Sequence, residues 1–81
     1  MTDPVPELRA FLQRYAAAAD VGAEQDLFAT GVVDSLQLIE LMVFIERTFA
    51  IKVRADELDR DRFRTLAATA RFIAAKRGEG A

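Results

Sequence analysis

The segment LFATGVVDSLQLIELMVFIERTF, Leu27–Phe49, decides the fold. From Ser35 onward its apolar residues recur at helical spacing. Advancing about 100° per residue brings Leu38, Leu41, Met42, Ile45 and Phe49 into one arc about 100° wide, enough for a stripe that faces a core. A helix is therefore expected over Ser35–Phe49. That stripe does not use up the apolar residues. Leu36, Ile39 and Val43 gather on the far side, ringed by Glu40, Glu46 and Arg47. Either a small bundle surrounds this central helix and buries both faces, or the second patch is an exposed apolar surface with a polar rim, as docking surfaces are. Phe44 fits neither arc.

Ser35 heads this helix between an acid and a leucine, and its hydroxyl admits three roles. As a nucleophile it needs a base to take its proton. The chain has no His and no Lys close to it in sequence, so Asp34 and Ser35 alone do not make a hydrolase. As a cap, Asp34 or Ser35 accepts a backbone N–H at the helix start. As a point of covalent attachment, Ser35 lies where free N–H groups and the positive end of the helix dipole favour a phosphodiester.

The chain as a whole narrows these choices. Its 81 residues leave room for one domain, taken as 1–81, and one modest core. Hydrophobic residues make up 52% and charged residues 30%, too apolar a mixture for a disordered segment. Without Cys no disulfide or thiolate metal site helps to hold the fold, which rests on packing amphipathic elements. Without His, a zinc or copper site would have to be built from carboxylates alone, so no metal is expected. The net charge of −2 argues against a nucleic-acid partner. No apolar run approaches the roughly 20 residues that span a bilayer, and MTDPVPELRA lacks a basic region followed by an apolar stretch. The expectation is a soluble cytoplasmic protein without a membrane partner.

Around the central helix the pattern gives three more helical pieces and no convincing strand. Pro4 and Pro6 suit a first turn, and Leu8, Phe11, Leu12 and Tyr15 follow at helical spacing to about Ala19, where Asp20 and Gly22 stop the helix. The connection to Asp34 exceeds the usual length of about 2–8 residues, and Leu27, Phe28, Val32 and Val33 are available to pack it. Ile51–Arg54 lead out of the second helix. A short third helix is expected near Asp56–Arg60 with Leu58 as its apolar anchor. Thr65 caps the last, in which Leu66, Ala70, Ile73 and Ala74 keep core spacing until KRGEGA frays. Between Arg14 and Arg47 there is no Lys or Arg, while Asp20, Glu24, Asp26, Asp34, Glu40 and Glu46 all lie there. A surface so biased steers toward a basic patch on a partner, unless it is simply a solvated acidic face.

With these elements in place, three runs carry a resemblance: Asp26-Leu27-Phe28, then Gly31-Val32-Val33-Asp34-Ser35-Leu36, then the helix ending Ile45-Glu46-Arg47-Thr48-Phe49. The chain resembles the acyl and peptidyl carrier protein family over nearly its whole length, with Phe63-Arg64-Thr65-Leu66 leading into the last helix. Asp-Ser-Leu alone is a weak motif, but at this place in a four-helix chain of this length it is specific. The resemblance implies an all-α four-helix bundle, with three longer helices, a short third one and a long loop between the first two. It implies that Ser35 receives 4'-phosphopantetheine from coenzyme A through a separate Mg²⁺-dependent phosphopantetheinyl transferase, which Asp34 assists. The arm then brings the thiol that this chain lacks, and an acyl or aminoacyl group rides on it as a thioester.

The same resemblance implies partners beyond the transferase: a loading ligase or adenylation enzyme, and a downstream synthase or transferase. Leu36, Glu40, Val43 and Glu46 match family positions that contact partners, and Arg47 joins them as a docking candidate. Gln37 and Arg47 stand where fatty-acid carriers usually have acids. With the Gly-Val-Val-Asp-Ser spacing and the FRTLAATARFI close, this is more similar to standalone carriers of specialised polyketide or nonribosomal-peptide pathways, loaded with amino acids or unusual extender units. The Met1 start and short tails suit a free-standing, non-catalytic monomer. The competing reading is an unmodified helical adaptor that docks a protein through the same acidic and apolar face and needs Ser35 only as a cap.

Overall fold

The computed structural model describes residues 3–14 and 21–79, which form helices and turns with no strand among them. Helix α1 spans Val5–Gln13, α2 Ser35–Phe49, α3 Arg60–Phe63 and α4 Leu66–Glu79, with a 3₁₀ turn at Ala55–Glu57 before α3. This is the expected all-α arrangement of three longer helices and one short one. Helix α4 is the element packed against each of the other three.

Helix α1 starts as its prolines dictate. Pro4 caps it, Pro6 lies in the first turn, and the Asp3 carboxylate accepts the Val5 N–H at 3.0 Å. Leu8, Phe11 and Leu12 are buried. Tyr15 and the expected helix end near Ala19 and Asp20 lie outside the described residues. The connection to α2 is packed by its own side chains: Leu27, Val32 and Val33 are buried and Phe28 half-buried, as expected. Asp26 Oδ1 accepts the N–H groups of Phe28 and Ala29 at 3.1 and 2.9 Å, an Asx-type turn. Gly31 then supplies a φ of 77°. The Leu27 N–H donates to the Arg64 carbonyl at 2.7 Å, and the Leu27 carbonyl accepts the Val33 N–H at 2.9 Å.

Helix α2 has the expected bounds, with Leu41, Ile45 and Phe49 buried and Leu38 and Met42 half-buried. It ends at Ala50, whose left-handed backbone, φ 55°, costs an L-residue roughly 1–2 kcal/mol that glycine would escape. Phe44 belongs to a contact the wheel does not show. Its ring stacks on Phe11 of α1, centroids 4.4 Å apart, and meets Phe49 edge-on at 6.5 Å.

The third helix and the last one correct two expectations. The stretch around Asp56–Arg60 holds a 3₁₀ turn and a break, and α3 begins only at Arg60. The alternating charges supply two separate caps. Glu57 Oε1 accepts the Arg54 N–H at 2.9 Å and closes the first turn, and Asp59 Oδ1 accepts the Arg62 N–H at 2.9 Å and starts the second. The anchor of α3 is Phe63, fully buried, while Leu58 is only half-buried. In α4, Thr65 caps as expected by accepting the Ala68 N–H at 2.9 Å. Its core positions are Leu66, Thr69 and Ile73; Ala70 is half-buried and Ala74 exposed. Burial of Thr69 is tolerated because its hydroxyl donates to the Thr65 carbonyl at 2.8 Å. Nor does α4 fray at Lys76: it continues to Glu79, with Lys76 Nζ 3.0 Å from Glu57 Oε1 and the Arg77 guanidinium 5.9 Å from the Phe49 ring centre.

Glu57 therefore ties the segment before α3 to the end of α4. The hydrogen bond from the Arg54 N–H, acting against burial and reinforced by Lys76 and then Arg54, holds its carboxyl below the usual carboxylate range. A carboxyl whose pKa falls on folding contributes stability above its unfolded value of about 4.3 and loses it as pH drops through the lower folded value. Urea unfolding followed against pH should show the wild type losing stability below about pH 4.3 more steeply than Glu57→Gln. Parallel acid limbs would remove Glu57 from this role.

Candidate functional site

The first turn of α2 settles which residue caps. Asp34 is the N-cap, with extended backbone at φ −112° and ψ −172°. Its Oδ1 accepts the Gln37 N–H at 2.9 Å, Gln37 Oε1 accepts the Asp34 N–H at 3.1 Å, and the two form a capping box. The Asp34 carbonyl begins the helical ladder by accepting the Leu38 N–H at 2.9 Å. Ser35 is thus the first helical residue. It is exposed, and among the described residues no group bonds its hydroxyl. Gln37, read from sequence only as a missing acid, is half of this cap. The signal for it was present as Asp-x-x-Gln ahead of an apolar run.

This arrangement limits the chemistry. Among the described residues no base reaches the Ser35 hydroxyl, and the neighbouring carboxylate is engaged in the cap. What it offers is a primary hydroxyl on a rigid helix start, open to an external enzyme. The residues fit a covalent phosphodiester there. The hydroxyl is not consumed by capping, and the Ser35 and Leu36 N–H groups take no backbone carbonyl or side-chain acceptor among the described residues. No group of His, Cys, Asp or Glu among the described residues could hold a metal ion, and no described helix is long and apolar enough to cross a membrane.

The far side of α2 is open. Leu36 is 68% exposed, Ile39 45% and Val43 40%, so the bundle does not bury both faces of its central helix. The charged residues around this patch differ from one another. Arg47 is exposed. Glu40 is half-buried, with Oε2 sealed from solvent and without a hydrogen-bond donor among the described residues. Glu46 is a structural ligand as well as a rim residue: its Oε2 accepts the Val53 N–H at 2.8 Å and fixes the chain leaving α2. A groove between α1 and α2 is lined by Phe11, Ile39, Glu40, Val43, Phe44 and Arg47. The sequence gives the exposed face of this groove but not Phe11, which reaches it only through the tertiary stack on Phe44.

Residues 7–73 match the protein family described as "Phosphopantetheine attachment site". The chain is also similar to the D-alanyl carrier proteins of Streptococcus pyogenes serotypes M5 (strain Manfredo), M49 (strain NZ131) and M1. Each is 49% identical over 43 residues, covering 53% of this chain and 54% of the relative. The chain thus spans about half the length of the curated relatives it matches.

Three substitutions separate the site's chemistry from its scaffolding, with denaturant unfolding as the measurement. Ser35→Ala should stay within about 0.5 kcal/mol of wild type, because the hydroxyl bonds no group among the described residues. Asp34→Ala should cost about 0.5–2 kcal/mol through loss of the cap. Glu46→Ala should cost about 1–2 kcal/mol by stranding the Val53 N–H. A Ser35→Ala loss as large as that of Asp34→Ala would return the capping role to the serine.

Proposed function

This chain belongs to the phosphopantetheine-attachment family, and from that premise we propose that Ser35 bears the arm and that the protein shuttles an aminoacyl group between biosynthetic enzymes. The family's cofactor is a covalently attached 4'-phosphopantetheine, which supplies a thiol for carrying an acyl group as a thioester. Carriers of this family work with a phosphopantetheinyl transferase and with ligase or synthase enzymes.

The observation that carries the assignment to Ser35 is the division of labour in the first turn. Asp34 and Gln37 hold the helix start between them, so the serine hydroxyl is exposed and unspent. Asp34 keeps the turn in place for the transferase, and the Ser35 and Leu36 N–H groups favour the negative phosphodiester. Leu36, Val43, Glu40 and Arg47 form the docking face, with Glu46 at its edge. An unmodified adaptor would use Ser35 as a cap, and that work falls to Asp34. The carrier is non-catalytic in this reading. Its contribution is to raise the effective concentration of a tethered group at successive active sites.

Two considerations support an aminoacyl cargo. The similar streptococcal proteins are named for D-alanine, an amino acid. Gln37 and Arg47 also remove acids that fatty-acid carriers have at these positions. The loading enzyme is then an adenylating ligase, and the pathway is of the specialised, nonribosomal-peptide kind. Incubation with coenzyme A, Mg²⁺ and a broad-specificity phosphopantetheinyl transferase, read by intact mass, should add one phosphopantetheinyl group to the wild type and none to folded Ser35→Ala. Equal modification of both would move the attachment elsewhere, and no modification of either with a transferase from the same source would overturn the carrier.

A further inference from the structure

We propose that the groove between α1 and α2 seats the aminoacyl end of the chain's own cargo, with the Glu40 carboxylate taking its ammonium; this rests on attachment of the arm at Ser35. Two rows of side chains run along α2 at i, i+4 spacing from its first turn: Ser35–Ile39–Val43–Arg47 and Leu36–Glu40–Phe44–Thr48. Beyond their first members both rows line the groove, and Phe11 closes it from the α1 side. The groove exists because α4 packs against all three other helices, whereas the stack of Phe11 on Phe44 joins α1 to α2. It begins one turn from Ser35, about 6 Å along the axis at 1.5 Å per residue. A group tethered at Ser35 reaches it along one face of one helix. Its volume of about 390 Å³ falls within the range of small-ligand clefts, about 300–1,000 Å³.

The chemistry of the groove specifies the occupant. Its walls near Ser35 are apolar, with Ile39 and Val43 both substantially exposed, and Arg47 and Thr48 line its far end. Into these walls is set Glu40, whose Oε2 is out of contact with water and has no donor among the described residues. Such an oxygen costs free energy until something donates to it. The chain supplies no near cation in sequence: no Lys or Arg lies between Arg14 and Arg47. Arg47 itself stands two turns farther on, about 10 Å along the axis. Among the described residues the oxygen is therefore left for an entering group to satisfy. Glu40 lines the groove, and rotation about its own side-chain torsions presents the oxygen to an entering group.

An aminoacyl end has both parts the groove asks for, a short apolar side chain for Ile39 and Val43 and an ammonium for the carboxylate. A fatty acyl chain would satisfy the walls and leave the carboxylate buried deeper and unpaired. A dicarboxylic acyl group would place a like charge beside Glu40, two turns short of Arg47. The groove thus discriminates among cargo classes by a single charge.

The test uses two arms that differ only in that charge. A phosphopantetheinyl transferase attaches alanyl and propionyl groups, each through a stable amide in place of the thioester, from the corresponding coenzyme A analogues, and intact mass confirms loading at Ser35. Methyl NMR resonances of Ile39 and Val43 and the side-chain carboxyl resonance of Glu40 are then compared. The alanyl form should shift all three relative to the unloaded protein, the propionyl form should leave them unshifted, and the alanyl shifts of the Ile39 and Val43 methyls should be lost in Glu40→Gln. Identical spectra for the two arms would overturn the proposal without reference to any variant. So would groove resonances that move only when a loading ligase is added, which would give Glu40 to a cation of that partner. Absence of mass gain at Ser35 would instead sink the attachment reading on which the proposal rests.

Discussion

Leu27 is held in three ways at once, and the geometry at the start of α2 follows from that. Its side chain is fully buried, its N–H donates to the Arg64 carbonyl beside α4, and its carbonyl accepts the Val33 N–H. A connection of this length would otherwise carry an entropy cost at every residue with little burial to offset it. Pinning one residue to the core and to the segment between α3 and α4 turns the loop into part of the packing. Val33, fixed by Leu27, delivers Asp34 in the extended conformation that an N-cap requires. The exposed hydroxyl one residue later is positioned by this chain of contacts rather than by any contact of its own.

The consequence is a proposed attachment site whose hydroxyl is free and whose support is not. A serine that capped its own helix would have to give up that bond when modified, and the first turn would loosen as the arm was added. With the cap placed on Asp34 and Gln37, the hydroxyl can change chemically while the N–H of Gln37 stays satisfied. The outgoing end of α2 is secured in a similar way. Glu46 holds the Val53 N–H, and Phe49 is packed by Phe44 and approached by Arg77. Both ends of the helix are thus fixed by groups other than those left exposed along it.

How much of this was legible in the sequence depended on whether the deciding contact was local. The bounds of α2, the packing of the loop by Leu27, Val32 and Val33, and the cap at Thr65 all follow from spacing and turn chemistry within a few residues. The placement of α3 did not, because Glu57 and Asp59, three residues and one residue before its start, each cap a turn, and only Lys76 of α4 and the burial of Phe63 decide how they are used. Lys76 also explains why α4 continues past the point where composition predicts fraying. Burial of Thr69 in place of Ala70 is a rotation of the α4 face that the sequence disguises, since a buried hydroxyl is acceptable only once its bond to the Thr65 carbonyl is known. The pairing of Phe44 with Phe11 is a long-range choice that no helical wheel contains.

The exposed row on α2 is best understood through what the bundle gives up to keep it. Burying Leu36, Ile39 and Val43 would contribute about 25 cal/mol for each Å² of apolar surface removed from water, and a chain of 81 residues has little surplus stability to forgo. The loss is accommodated by concentrating the core on the opposite row, Leu41, Ile45 and Phe49, and by using α4 as the common partner of the other helices. That choice leaves α1 joined to α2 through an aromatic stack instead of a continuous ridge-and-groove contact, and the gap beside the stack is the groove that contains Glu40. The exposed apolar residues and the half-buried acid are therefore linked outcomes of one packing decision, whereas the open serine follows from the Asp34–Gln37 cap. A bundle that closed α1 fully onto α2 would cover all but the serine.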